Sequence, residues 1–342
     1  MKNTTRGGGT RVARLVEVAR AARVSPSTVS RILNGTARVS EAKRRAVEAV
    51  IERLRFQPNP VARGLRQGRR QTIGVLAQTV ESPFFGTTFR GVTEALAGTG
   101  YVPLVLGGPP DLESEAKRVE LLLSHRVDGV IIVTCRMADE LLIRYSATAP
   151  IVVAGRDLRR GRLFSMKVDN VLGAGLATRH LLDLGHRRIA LLVGPGDHVD
   201  AVDRVKGYRR ALREARVPID PELIVPAGFF MEDGLAAVER LLDAGRKFTA
   251  IFAANDECAY GAHLGLYRRG IRVPQDVSLV GFDDLPASSY TTPPLTTVRQ
   301  PLEEIGRRVA HSMLDLLNGR TPSTANMPEV TLVVRETTAA PP

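Results

Sequence analysis

Eight short apolar runs, each bounded by turn residues and separated by segments of helical spacing, limit the fold of this 342-residue chain more than any other feature. Four come early: "TIGVLAQ" (72–78), "YVPLVLG" (101–107), "DGVIIVT" (128–134) and "PIVVAG" (150–155). Four come later: "RIALLVG" (188–194), "LIVPAGF" (223–229), "AIFAAN" (250–255) and "VSLVGF" (277–282). Near-continuous apolar strands alternating with helices imply parallel sheets covered on both faces. Two sets imply two doubly wound α/β lobes, and open sheets of this kind bind ligands beyond the carboxyl ends of their strands. A cleft between the lobes is therefore the expected small-molecule site.

The charge is distributed unevenly. The net charge is +12, yet residues 1–70 hold 17 Lys and Arg against 4 Asp and Glu, while the other 272 residues hold 31 against 32. A basic N-terminal module on a near-neutral body is the electrostatic footprint of nucleic-acid binding, because each neutralised phosphate releases counterions. A basic disordered tail would give the same balance, but it would lack the capped, periodic helices that follow.

Three helices fit residues 14–56. Leu15, Val18, Ala19 and Ala22 mark the first, and Ala46, Val47, Val50, Ile51 and Leu54 the third, which starts at a Ser40 cap. Between them lies "SPSTVSRILNG" (25–35), with Ser25 as cap, Pro26 at the first helical position and Asn34-Gly35 as stop. Val29, Ile32 and Leu33 share one side of this helix, while Pro26, Ser27, Ser30, Arg31 and Asn34 share an arc of roughly 140° on the other. Such an arc taken alone reads as a solvated face. Two short helices joined by a three-residue turn form a helix-turn-helix, whose second helix enters the major groove N-terminus first. In that reading Ser27 and Arg31 meet base edges, Arg31 suiting guanine through paired hydrogen bonds. Ser30 and Thr28 meet phosphates, and Ser25, Pro26 and Asn34 complete the DNA-binding set.

After Phe56 comes "QPNPVARGLRQGRRQ" (57–71). The plain reading is an interdomain linker. The functional one is a hinge helix too short to be stable alone, folding on DNA with Leu65 as a minor-groove wedge and Arg63, Arg66, Arg69 and Arg70 near phosphates.

The stretch from Leu15 to Arg66, "LVEVARAARVSPSTVSRILNGTARVSEAKRRAVEAVIERLRFQPNPVARGLR", closely resembles the headpiece of the LacI/GalR family of bacterial transcriptional regulators. The resemblance continues through "GHRRIALLVG", "RVKGYRRAL", "VSLVGFDD", "PPLTTVRQPLEEIG" and "VVRETT". It implies an N-terminal all-α helix-turn-helix headpiece with a hinge helix, then a two-lobed α/β effector domain like periplasmic binding proteins. The implied bounds are a flexible basic tail (1–12), the DNA-binding domain (13–58), a hinge (59–71) and an effector-binding and dimerisation domain (72–342). Within that domain, the resemblance gives a first lobe of about 72–170 plus 300–326 and a second of about 171–299 plus 327–342. Gly64 departs from the family pattern, and glycine costs a helix up to ~1 kcal/mol relative to alanine.

Strand ends supply the effector candidates Phe84, Phe85, Arg156 and Asp157. The family pattern adds His198, Asp200, Arg204 and Asp283, with Phe230 and Asn255 fitting the same pattern. Arg204 and Asp283 suit a polyhydroxylated ligand, and a phenylalanine offers it an apolar platform. Alternative structural roles exist: Asp283-Asp284 as a turn cap, Phe84 or Phe85 as core, Arg156 as surface. The absence of tryptophan leaves a purine or a sugar acid open beside a sugar. "GRDLRRGR" (155–162) favours an anionic ligand if it faces the site, and otherwise reads as a solvated loop.

The expectation is a dimeric, sequence-specific repressor of a catabolic or transport operon, bound to near-palindromic double-stranded operator DNA and controlled by a carbohydrate-like effector. Two distant cysteines and six histidines form no metal-ligand spacing, so no metal or cofactor is expected. No GxGxxG, P-loop or nucleophile-elbow signature appears, which argues against an enzyme. "MKNTTRGGGTR" has no apolar signal segment and no apolar run reaches 18 residues, so a cytoplasmic protein without membrane contact is expected.

Overall fold

The computed structural model describes residues 13–33, 39–56, 69–108, 111–323, 327 and 329–342. The chain divides into two compact units, Met1–Arg70 and Gln71–Pro342. The basic tail, the Asn34-Gly35 stop and the hinge positions Arg63, Gly64, Leu65 and Arg66 lie outside the described residues.

In the first unit, α1 (Leu15–Ala21), α2 (Pro26–Leu33) and α3 (Glu41–Arg53) enclose a small core of Val18, Ala19, Val29, Val47, Val50 and Phe56. The turn from α1 to α2 is short because α1 ends in a Schellman motif. Arg23 sits at φ 51°, its N–H donates to Arg20 O, and the Val24 N–H reaches Ala19 O at 3.0 Å. Ser25 then caps α2, its Oγ accepting the Thr28 N–H at 3.2 Å. Ser40 precedes α3 in an extended conformation, but its side chain accepts no capping hydrogen bond. The exposed Glu17 side chain instead caps α1 from within, accepting the Arg14 N–H at 2.9 Å.

The second unit contains two six-stranded sheets. The first has the order β2 (Val102–Leu106), β1 (Thr72–Leu76), β3 (Gly129–Ile132), β4 (Ile151–Ala154), β6 (Leu163–Met166), β5 (Arg159–Arg160). The second has the order β12 (Thr331–Val333), β11 (Thr296–Arg299), β10 (Ser278–Asp283), β9 (Ala250–Ala253), β7 (Ile189–Val193), β8 (Ile224–Pro226). All pairings are parallel except those of the edge strands β5 with β6 and β12 with β11. The eight apolar runs become β1 to β4 and β7 to β10. Pro103 is tolerated in β2 because that strand is an edge and needs no donor on its outer side. The basic segment after β4 forms the short, exposed β5 rather than an open loop.

Helices α4 (Pro83–Leu96), α5 (Leu112–Ser124) and α6 (Asp139–Ser146) accompany the first sheet, and α7 (Asn170–Asp183), α8 (Val199–Glu214), α9 (Met231–Asp243) and α10 (Asp256–Arg268) the second. The next helix, α11 (Leu302–Leu317), follows β11 in sequence but packs against α4, β3, β4 and β6 of the first sheet. Two glycines make this packing close. A Cβ on Gly91 would lie 1.9 Å from Glu303 O, and one on Gly306 would lie 1.9 Å from Thr88 O. After α11 the chain returns to the second sheet as β12, with Val298 opposite Leu332.

The C-terminal segment is clasped onto this second sheet. Thr337 O accepts the Leu279 N–H at 2.8 Å, and Ser278 Oγ accepts the Ala339 N–H at 3.0 Å. The buried His186 joins the two. Its Nε2 lies 2.9 Å from Ala339 O, an acceptor, so Nε2 carries the proton and Nδ1 accepts from Thr249 Oγ1 at 2.8 Å. Burial lowers the His186 pKa below the ordinary 6.5, so the unfolded chain protonates before the folded one does. Its contribution is complete above about pH 6.5 and is lost as pH falls through the lower folded value. Replacing His186 with alanine should lower stability at pH 7.5 by about 1–3 kcal/mol in urea denaturation, with a smaller loss at pH 5.

Candidate functional site

In the helix-turn-helix unit, packing divides α2 into two faces. Val29 is fully buried and Ile32 and Leu33 are half-buried against α1 and α3, while Pro26, Ser27 and Arg31 are exposed and Ser30 is half-buried. Ser25 Oγ lies 2.8 Å from both Ser27 Oγ and Thr28 Oγ1, so these hydroxyls form one chain of hydrogen bonds at the start of the helix. The exposed N-terminal face thus presents small hydroxyls and a guanidinium, with the helix N–H groups aimed the same way. Phosphate and base edges fit such a surface.

In the two-sheet unit, the carboxyl ends of strands from both sheets converge on one pocket with about 610 Å³ of empty space, its mouth included. From the first sheet come Gln78 and Thr79 after β1, Val133 and Thr134 after β3, and Ser82, Phe84 and Phe85 around the start of α4. From the second come His198, Asp200 and Arg204 after β7, Phe229 and Phe230 after β8, Asn255 and Glu257 after β9, and Asp283 at the end of β10. Eight of the ten expected effector residues therefore line one cavity. Arg156 is not among them. Its guanidinium donates to Met137 O at 2.9 Å and Cys135 O at 3.3 Å and pairs with Asp139 at 3.5 Å, behind the wall formed by Thr134. Asp157 is exposed.

Arg204 is the most heavily committed of these side chains. It is 6% exposed, and its Nε donates to Asn170 Oδ1 at 2.9 Å. Its Nη1 donates to Ala254 O, its Nη2 lies 3.7 Å from Asp283 Oδ1, and its charge rests 3.8 Å from the Phe282 ring centre. Burial pushes the Asp283 carboxyl above the usual range, and the Arg204 charge opposes that shift. Gln300 Nε2 adds a hydrogen bond to Asp283 Oδ1 at 2.7 Å. Asp283 adopts φ 119°, a region costly for any residue but glycine, and such strain is held where the surroundings fix it.

Asn170 extends the network, its Nδ2 donating to Asp200 Oδ1 at 2.9 Å. His198 stands beside Asp200 at 3.8 Å and edge-on to Phe229 at 5.1 Å. Neither of its buried ring nitrogens has a hydrogen-bond partner among the described residues. Burial lowers its pKa, so the ring is neutral and offers one donor and one acceptor. Asn255 is turned partly to local duty, its Oδ1 capping α10 through the Cys258 N–H at 2.9 Å. Beneath the pocket, the fully buried Asp256 receives the Leu285 N–H and the Ser288 and Thr297 hydroxyls. Gly281 leaves it room, since a Cβ there would lie 2.3 Å from Asp256 Oδ1.

Sequence reasoning missed Gln78, Thr79, Ser82, Val133, Thr134, Phe229 and Glu257 in the lining. Gln78 and Thr134 close the apolar runs "TIGVLAQ" and "DGVIIVT", so the strand-end rule contained a signal for them. Asn170 and Asp256 follow no such rule, because their partners come from chain segments far away in sequence. Among the described residues no group of three or more His, Cys, Asp or Glu is arranged to hold a metal ion, and no helix is long and apolar enough to cross a membrane.

A family model described as bacterial regulatory proteins, lacI family, matches residues 14–59, and a periplasmic binding protein-like domain matches residues 178–338. The chain is 36% identical over 298 residues to the ribose operon repressor of Escherichia coli (strain K12), covering 86% of this chain and 90% of that one. It resembles the crystal structure of the lac repressor dimer bound to operator and the anti-inducer ONPF, with a TM-score of 0.85 and 29% identity over 96% of this chain and 100% of that one. A regulator of the lacI family from Enterococcus faecium with bound ribose matches with a TM-score of 0.69 and 29% identity, covering 79% and 99%.

Asn170→Ala would strip a partner from both Arg204 and Asp200. A loss of about 1–3 kcal/mol in urea denaturation is expected, since the buried Arg204 Nε is left without its acceptor. An unchanged denaturation midpoint would show that the network contributes nothing to the fold.

Proposed function

The chain belongs to the lacI family of bacterial regulatory proteins and is a DNA-binding transcriptional repressor with an effector-binding domain; from that premise we propose that an uncharged, pentose-sized sugar bound in the Arg204–Asp283 pocket controls its affinity for operator DNA. The observation that carries the effector class is the charge of the lining. Asp200, Glu257 and Asp283 face one guanidinium, Arg204, and a histidine that burial holds neutral. That guanidinium already donates to Asn170 and Ala254 and lies beside Asp283, so the carboxylate of a sugar acid would meet no uncommitted cation in this lining. Hydroxyls suit Arg204, Asp283, Asn255 and His198, while Phe84, Phe85, Phe229 and Phe230 offer apolar faces to carbon-bound hydrogens. The ribose operon repressor and the ribose-bound regulator among its relatives support the same class.

On the DNA side, Ser27 and Arg31 read base edges from α2, with Ser25, Pro26, Thr28 and Ser30 anchoring the helix start to the backbone. Asn34 and the segment carrying Arg63, Leu65 and Arg66 contribute further DNA contacts. The protein acts in the cytoplasm as a homodimer, its two α2 helices reading half-sites of a near-palindromic operator about 34–36 Å apart. Effector binding changes operator affinity by about 5–150-fold, the usual range of such coupling.

Titration calorimetry with D-ribose, other pentoses and hexoses, nucleobases and D-ribonate tests the effector class. A pentose is expected to bind with 1:1 stoichiometry per chain and without being consumed, and D-ribonate at least tenfold more weakly than D-ribose, about 1.4 kcal/mol. Tighter binding of the sugar acid would refute the charge argument. On operator DNA, Arg31→Ala should cost about 1–3 kcal/mol and relax base preference at one position per half-site. Equal weakening on operator and random DNA would make Arg31 a phosphate contact instead.

A further inference from the structure

The loop after β3 is held from three sides although only Thr134 of it and the preceding Val133 reach the pocket. Arg156, with a side chain 13% exposed, donates to the carbonyls of Cys135 and Met137 and pairs with Asp139 at the start of α6. From the other side, the fully buried Glu115 of α5 accepts the Arg136 N–H at 2.9 Å. The Arg136 side chain then leaves its own lobe and lies 3.4 Å from Asp197, the residue before His198 in the other lobe. Loop, pocket wall and inter-lobe ion pair are thus a single assembly, and Arg156 fixes the backbone on both sides of Arg136.

We propose that Arg156 is a positioning residue of the effector site: by fixing the 134–137 segment it sets Thr134 in the pocket wall and holds Arg136 against Asp197, so that the two lobes are clamped together before any effector arrives. The inference rests on the reading of this pocket as the effector site. The Arg136–Asp197 pair is modest by itself, since Asp197 is 59% exposed and water screens it. Its effect comes from the rigid backbone beneath it, which spares the guanidinium the entropy of finding its partner. A ligand that binds only the closed cleft gains apparent affinity in proportion to how often the empty cleft is closed.

The test combines calorimetry with D-ribose and thiol reactivity in the full-length protein. Cys135 lies inside the clamped loop and Cys258 inside α10, and both are buried, so their reaction rates with a thiol reagent report loop release and general unfolding separately. Arg156→Ala should weaken D-ribose binding about tenfold without any contact to the sugar, and speed modification of Cys135 while leaving Cys258 unchanged. Arg156→Lys, which keeps the charge and one donor, should recover part of both losses. Asp197→Ala, a surface change that leaves the loop intact, should weaken binding a few-fold on its own, roughly 2- to 5-fold. Combined with Arg156→Ala it should cost clearly less than the product of the single effects, because both remove one clamp. Multiplicative losses would mean that Arg156 acts on the sugar itself, and an unchanged Cys135 rate would mean that it does not order the loop; either overturns the proposal. Equal acceleration at both cysteines would make Arg156 an ordinary stability residue. Failure of the unaltered protein to bind D-ribose or any other pentose would count against the effector assignment alone, since the cysteine rates still decide the role of Arg156.

Discussion

A guanidinium taken out of water is tolerable only when its charge and its donors are met, and Arg204 imposes that condition on three separate pieces of chain. Asn170 opens α7, Ala254 follows β9, Asp283 ends β10, and the Phe282 ring supplies the face on which the charge rests. The sheet itself brings Ala254 and Asp283 together, because β9 and β10 are paired neighbours. Asn170 joins them from outside the sheet, and Arg204, on the first turns of α8, leaves fewer unmet polar groups when it does. The strained backbone of Asp283 is one cost of that arrangement, and the Gln300 hydrogen bond helps to keep it in place.

Because Arg204 and Asp283 line the pocket and are held from behind by Asn170, Ala254 and Gln300, that part of the site is organised before a ligand enters. Contacts across the cleft tie its two walls together. Ser82 Oγ donates to Glu257 Oε2 at 3.2 Å across the cleft, a second link beside that of Arg136 and Asp197. The aromatic residues are divided between the walls, Phe84 and Phe85 on one and Phe229 and Phe230 on the other. A ring sandwiched between them would be in full contact only when the lobes are together, which is how small-molecule binding becomes a mechanical signal.

Much of this was legible in the chain. Hydrophobic runs mark strands wherever both faces of a sheet are covered, as at β1, β3, β4, β7, β9 and β10, and the edge strands β2 and β8 are apolar enough to show as well. The edge strand β5 is exposed and basic, and β11, "TTVR", has a single apolar residue, so neither carried the signal. The polar arc of α2 was ambiguous by itself, and it was the confinement of positive charge to residues 1–70 that favoured a DNA-facing reading over a solvated one. Strand-end logic found Phe84 and Phe85 but sent Arg156 to the pocket, because sequence position gives the end of a strand and not the direction in which a long side chain leaves it. Three carbonyl and carboxylate acceptors behind the wall outcompeted the cavity for its donors. Asn170 and Asp256 were invisible for a related reason: their roles are defined by partners 29 to 41 residues distant.

The exchange of α11 and β12 between the sheets also governs the order in which this protein can be built. A ribosome releases the chain from its N-terminus, and domains commonly fold as they emerge. Here the first sheet waits for Leu302–Leu317 to cover one of its faces, although its own strands end at Met166. The second sheet waits for Thr337 and Ala339 to satisfy β10 and His186. Neither lobe is whole until nearly all the chain has been made, so the lobes reach completion almost together. The helix-turn-helix unit, by contrast, has its whole core by Phe56. A nascent chain therefore carries a finished DNA-reading surface for most of its synthesis, well before the pocket that governs it exists.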